Sequence, residues 1–204
     1  MAGRKKGMSQ RSLNALETKN KLLSTAMMLF TQRGFDKVTV DDITRFAGVS
    51  KGTFYNHFTA KDEVLVEQFN RIDDYYEQIL RHIKPTETAS GRALIFVDAM
   101  CEYCGNIWGL NLLKIVYSNQ ISVNARPYIL LNKKRLFYTF LLEIVRHGIA
   151  SGEFTTEIPE EEQVEMFSRM ARSVLYEWCL HDGSYDLKEA GRYGFELVLK
   201  LIRK

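Results

Sequence analysis

The stretch 39–58, TVDDITRFAGVSKGTFYNHF, constrains the fold of this chain more than any other segment. Thr39 offers a side-chain oxygen as a helix N-cap, with Asp42 three residues on and Val40, Ile43 and Ala47 along one side. Gly48 ends that short helix, and Ser50 can cap another. Phe54 and Phe58, at i and i+4, turn the second helix toward the same core. Ala47 is small enough for the two helices to approach, and Gly48 permits the positive φ that a sharp turn requires. With Val49, these apolar positions set one helix across the other and leave Lys51, Thr53, Tyr55, Asn56 and His57 facing outward. A helix-turn-helix of this shape can lay its second helix in a DNA major groove, and the free N–H groups at that helix's start favour phosphate.

The flanking sequence reads as helix throughout. Residues 1–13 combine Gly, Ser and Gln with Arg4, Lys5, Lys6 and Arg11 and are expected to form a flexible basic arm. Apolar positions 16, 22, 23, 26, 27, 29 and 30 then recur at 3.6-residue spacing, predicting a helix over about 15–33 that Gly34 stops. A fourth helix is predicted over 62–83, closed by Pro85. Periodic segments follow at about 89–105, 109–121, 127–149, 159–182 and 186–203, with breaks near Gly105, Pro127, Gly152, Pro159 and Gly183. No strand alternation and no internal repeat is evident, so the fold class is all-α. The expected organisation is an arm over 1–13, a three-helix DNA-binding head over 14–62, a linker helix over 62–84, and a larger helical body over 85–204.

Charge divides in the same way. Residues 1–60 hold ten Lys or Arg against four acids, leaving 18 against 21 of the chain's 28 basic and 25 acidic residues for the remainder. A basic head on a mildly acidic body suits a polyanion-binding module, because neutralising phosphate needs local Lys and Arg. Three cysteines, an odd number, argue against a secreted disulfide framework. No apolar run approaches the roughly 18–20 residues of a membrane span, and no apolar stretch follows the basic N-terminus as a secretory signal requires. A cytoplasmic location and no membrane partner are expected.

Residues 39–58 resemble the helix-turn-helix of the TetR family of transcriptional regulators, which typically reads T-V-x-D-I-A-x-x-A-G-V-S-K-G-T-x-Y-x-H-F followed by x-x-K, here ending at Lys61. The preceding helix is similar too, with Ala-x-x-Leu-Phe at 26–30 and Gly34-Phe35, so the resemblance covers about 16–65. Thr44 and Phe46 depart from it, standing where Ala and a small or polar residue are usual; Phe46 is a candidate anchor for the arm or the next helix. The resemblance implies groove-facing roles for Lys51, Thr53, Tyr55 and Asn56, and phosphate contacts for Thr39, Ser50, Tyr55, His57 and Lys61. Arg45 and the arm residues Arg4, Lys5 and Lys6 are further candidates for DNA contact. It also implies a repressor that binds palindromic double-stranded operator DNA as a homodimer through its last two helices and is released by a small-molecule effector. A body that engages a protein partner instead is the alternative.

In the body, large aromatics mixed with polar groups could line an effector pocket, with Tyr103, Trp108, Tyr117, Phe137, Glu143, His147, Phe167 and Tyr176 as candidates. The same aromatic stripes would serve an ordinary core, as would the apolar faces of 159–182 and 187–202 assigned to dimerisation. Cys101 and Cys104 lack the further Cys or His that a structural zinc site needs, His57, His82, His147 and His181 form no H-x-x-x-H pair, and no G-x-S-x-G occurs. No metal, cofactor or catalytic site is expected. If the arm binds as assigned, removing residues 2–12 lowers operator affinity and flattens its salt dependence, measurable by titration at several salt concentrations.

Overall fold

Helix α1, Gln10–Arg33, begins where the Ser9 hydroxyl accepts the Ser12 N–H. It therefore starts earlier than expected, and residues 10–13 continue a helix instead of belonging to an arm. Leu13 and Leu16 remain exposed on these first turns, so capping and a Gln10–Asn14 side-chain hydrogen bond of 2.9 Å hold them, not burial. The computed structural model describes residues 9–121 and 128–204; Arg4, Lys5 and Lys6 lie outside the described residues. The chain divides into two compact units, Met1–Val66 and Glu67–Lys204.

In the first unit, α1 buries Leu22, Leu23, Ala26, Leu29 and Phe30 and packs on α2, Val40–Ala47, which in turn packs on α3, Lys51–Tyr55. A capping box starts α2: the Asp42 N–H donates to Thr39 Oγ1 at 3.1 Å, and the Thr39 N–H donates to the Asp42 carboxylate at 3.1 Å. Gly48 ends α2 in the left-handed region, φ 65°, with the Val49 N–H bonded back to the Thr44 carbonyl. Phe54 and Phe58 are buried with ring centroids 5.4 Å apart.

Helix α4, Lys61–Leu80, crosses the boundary between the units. It stops short of the expected 83 because the N–H groups of His82 and Ile83 tighten onto carbonyls three residues back. Its second half is part of the body, not a free linker: Phe69, Ile72 and Tyr76 are buried, and the Tyr76 ring meets Phe96 at 4.9 Å.

The body continues with α5, Ala89–Glu102, and α6, Gly109–Ile121, joined by a π-helical stretch, Tyr103–Trp108. The break expected at Gly105 falls instead at Gly109, whose φ of 71° ends the wide turn by returning its N–H to the Cys104 carbonyl. The single helix expected over 127–149 is a 3₁₀ turn, Ile129–Leu131, then α7, Leu136–Ala150. Asn132 separates them: its side-chain oxygen accepts the Lys134 N–H and its carbonyl accepts the Arg135 N–H, an Asx turn that interrupts the helix. Helices α8, Glu160–Leu180, and α9, Leu187–Ile202, close the fold, α9 packing on both α5 and α8. No strand occurs among the described residues, only one isolated bridge between Phe154 and Arg203. No helix among them is long and apolar enough to cross a membrane.

Phe154, fully buried, sits directly on Gly148 of α7, leaving no room for a Cβ there. Gly148→Ala is expected to destabilise the fold by about 1–3 kcal/mol through overpacking, seen as a lower Tm with helical content unchanged.

Candidate nucleic-acid interface and effector cavity

In the first unit the outward side of α3 carries Lys51, Tyr55 and Asn56, all exposed, with Tyr55 half accessible and its ring edge-on to Phe54 at 5.6 Å. The helix is short because Ser50 caps one end, accepting the Thr53 N–H at 3.1 Å, and Asn56 already closes the other. His57 therefore lies beyond the helix, half-buried, its N–H bonded to the Phe54 carbonyl. The Ser50 and Thr53 hydroxyls share a 2.8 Å hydrogen bond.

Several of these groups carry internal partners. Lys51 pairs with Asp41 at 2.9 Å, which raises its pKa, and Arg45 pairs with Asp42 at 2.5 Å. The Lys51–Asp41 pair is exposed on both sides and so is worth little, while in the Arg45–Asp42 pair only the arginine is exposed. Hydrogen bonds from Thr39 hold the Asp42 carboxyl below its usual value, and the Thr39 hydroxyl is spent on this box. Phe46 is exposed and stacks under two guanidiniums, Arg33 at 4.9 Å and Arg45 at 5.6 Å, which positions cations of α1 and α2 together.

Lys61 has backbone partners within the head. Its ammonium donates to the Phe35 carbonyl at 2.7 Å and the Val38 carbonyl at 3.0 Å and lies 4.1 Å from the Phe35 ring centroid. Burial lowers its pKa. A half-buried ammonium with two of its three donors on backbone carbonyls is a clamp on the turn between α1 and α2.

In the second unit, a cavity of about 50 Å³ lies among α4, α6, α7 and α8. Trp108, Tyr117 and Phe137 line it, together with Phe69, Ile72 and Tyr76 of α4. The other five effector candidates do not. Tyr103 stands behind Trp108, Phe167 packs on Phe195 at 5.0 Å in the core between α8 and α9, and Tyr176 covers Tyr117 from outside at 5.5 Å. Glu143 and His147 share a face of α7 away from its buried stripe of Phe140, Leu141, Ile144, Val145 and Gly148. Cys101 and Cys104 are buried thiols; burial pushes Cys101 up to about 12 and Cys104 higher, so neither is a reactive thiolate.

The cavity's cations were not legible in the sequence. Arg135 and Arg172 line it from positions far apart in the chain, and no spacing rule links them. Arg135 donates to the Asp73 carboxylate at 2.6 and 3.0 Å, a pair only 13% and 20% exposed, and its guanidinium lies 4.6 Å from the Phe69 ring centroid. Burial raises the Asp73 carboxyl, opposed by Arg135.

Residues 22–67 match the family model of bacterial regulatory proteins of the tetR family. The match places a TetR-family segment in the head alone, about a quarter of the chain. The chain is similar to the fatty acid metabolism regulator of Bacillus subtilis, 22% identical over 87% of this chain and 92% of the relative. It is likewise similar to the transcriptional repressor KstR2 of Mycolicibacterium smegmatis, 23% identical over 89% and 88%. Among solved structures, FadR of B. subtilis in complex with stearoyl-CoA superposes with a TM-score of 0.76 at 22% identity, covering 88% of this chain and 97% of that one. At this identity the superposition shows a shared fold.

In this head, Lys61→Met is expected to lower stability by about 1–3 kcal/mol by removing two charge-assisted hydrogen bonds to backbone carbonyls, while the salt slope of DNA binding stays the same. Thermal melting and salt-dependent titration measure the two separately; a shallower slope at unchanged Tm would instead place Lys61 on a phosphate.

Proposed function

We propose that the chain is a repressor that binds a palindromic operator as a homodimer, reads it with α3, and is released by a small organic effector entering the body. The observation that carries this reading is the short, capped α3, which presents Lys51, Tyr55 and Asn56 to solvent inside the segment that matches the family model. Thr53 joins them on the groove side, with Ser50 and the free N–H groups of the first turn near phosphate. Arg45 and Lys51 exchange their carboxylate partners for DNA, and the cytoplasm, where bacterial DNA lies, is the place of action.

A single recognition helix touches only a few base pairs, so affinity requires two heads about one DNA turn apart. Helices α8 and α9 supply the self-complementary surface: Tyr176, Leu180, Tyr193 and Leu201 are exposed apolar side chains on two neighbouring helices whose other faces fill the core. The effector reading is supported by the body's aromatic cavity and by the relatives. A structural neighbour, SmeT, was solved with triclosan at a TM-score of 0.74, and FadR was solved with stearoyl-CoA. Since α4 both walls the cavity and runs into the head, a ligand that displaces Phe69, Ile72 or Tyr76 changes the helix on which the head is carried.

Tyr55→Ala and Lys51→Ala are each expected to weaken operator binding by at least ~1 kcal/mol without loss of helical content, as read by fluorescence anisotropy. Full affinity in both variants removes α3 from the interface. Sedimentation at micromolar concentration is expected to show a dimer, and a monomer there contradicts the α8–α9 interface.

A further inference from the structure

The cavity of the body is one half of a larger opening whose two halves differ in character. Beside the inner slot of about 50 Å³ lies an outer cleft of about 230 Å³, and Leu130, Arg135, Phe137 and Arg172 line both. The inner walls are almost wholly apolar. The outer cleft adds Lys133, which pairs with Glu165 at 2.8 Å, and Arg135 pairs with Asp73, so the three cations exceed the two carboxylates by one. Arg172 is only loosely engaged, with Ser168 Oγ at 3.2 Å, the Leu130 carbonyl at 3.4 Å and Glu165 at 3.8 Å, and much of its five-donor fork is left unspent.

We propose that this opening binds an organic anion with a single apolar tail, its carboxylate or phosphate against Arg172 and Lys133 with Arg135 at the seam, and its tail in the slot beside Trp108 and Tyr117. The inference rests on the ligand-responsive reading above and names the class of ligand. The charge excess selects an acidic head over a neutral or cationic one, and the apolar lining selects a tail over a fully polar anion. At about 50 Å³ the slot holds a few waters, so the tail enters only by pushing its walls apart, and one wall is Phe69, Ile72 and Tyr76 of α4. The head group also competes with Asp73 for Arg135, loosening the ion pair that fixes α4.

The test is calorimetric titration of the full chain with four ten-carbon probes below their micellar concentrations: decanoate, decyl phosphate, decanol and decyltrimethylammonium. Each probe is also scored for release of operator DNA. The expected result is that the anions bind at least about tenfold tighter than decanol, the worth of one charge-assisted hydrogen bond, and that the ammonium binds more weakly still. A preference for decanoate over decyl phosphate, or the reverse, identifies the acid. Arg172→Gln, and separately the exposed Lys133→Gln, should shrink the anion-to-alcohol ratio to below about threefold at unchanged helical content, again the loss of one such bond. Equal binding of decanol and the anions, or an undiminished ratio in both variants, overturns the anion site; release of operator by decanol in that case leaves the ligand-responsive reading standing. If no probe binds, the anion site falls; if a wider panel of uncharged compounds also leaves operator binding untouched, the ligand-responsive reading falls with it.

Discussion

The pairing of Arg135 with Asp73 is the constraint on which the arrangement of the body depends. It ties the segment after the Asn132 turn to α4, and the same guanidinium covers the Phe69 ring and lines both halves of the cavity. Two charges this far from water persist only because their geometry is bidentate and their partners are close. Drawing Arg135 away would leave the largely buried Asp73 carboxylate of α4 without its partner.

The head is stabilised by different means. Its elements are too short for burial alone to define them, and side-chain-to-backbone bonds define them instead: Ser9, Thr39 and Ser50 as caps, Gly48 as the left-handed stop, and Lys61 as a clamp across the turn after α1. Such bonds hold α3 rigidly while leaving its outer face free of structural work. Exposed ion pairs on that face, such as Lys51 with Asp41, exchange readily because solvent already screens them.

Legibility in the sequence followed how local each determinant is. The caps at Thr39 and Ser50 and the stop at Gly48 were readable because cap and capped group lie three residues apart. The start of α1 was misread because Gln10 and Leu13 form helix without burying anything, so no apolar period marks them. The π-helical stretch escaped for a related reason, since it changes the hydrogen-bond register without a break in composition, and the Asx turn lies in the polar run Asn132–Arg135, which a solvated helix face would also show. Lys61 was assigned to phosphate by its place in a motif, and only folding brings the carbonyls of Phe35 and Val38 to it.

By itself, the sequence determined that the chain is helical, that a helix-turn-helix stands at 39–58, and which side of its second helix faces outward, because periodicity and capping act within a few residues. Tertiary structure alone decided where the cavity lies, that Trp108, Tyr117 and Phe137 line it while Glu143, His147, Phe167 and Tyr176 do not, and that Arg135 and Arg172 share its walls, with Asp73 paired to Arg135. Those relations join α4, α7 and α8 across more than sixty positions of chain. Coulombic attraction and close packing depend on distance in space, which residue spacing along a chain does not encode.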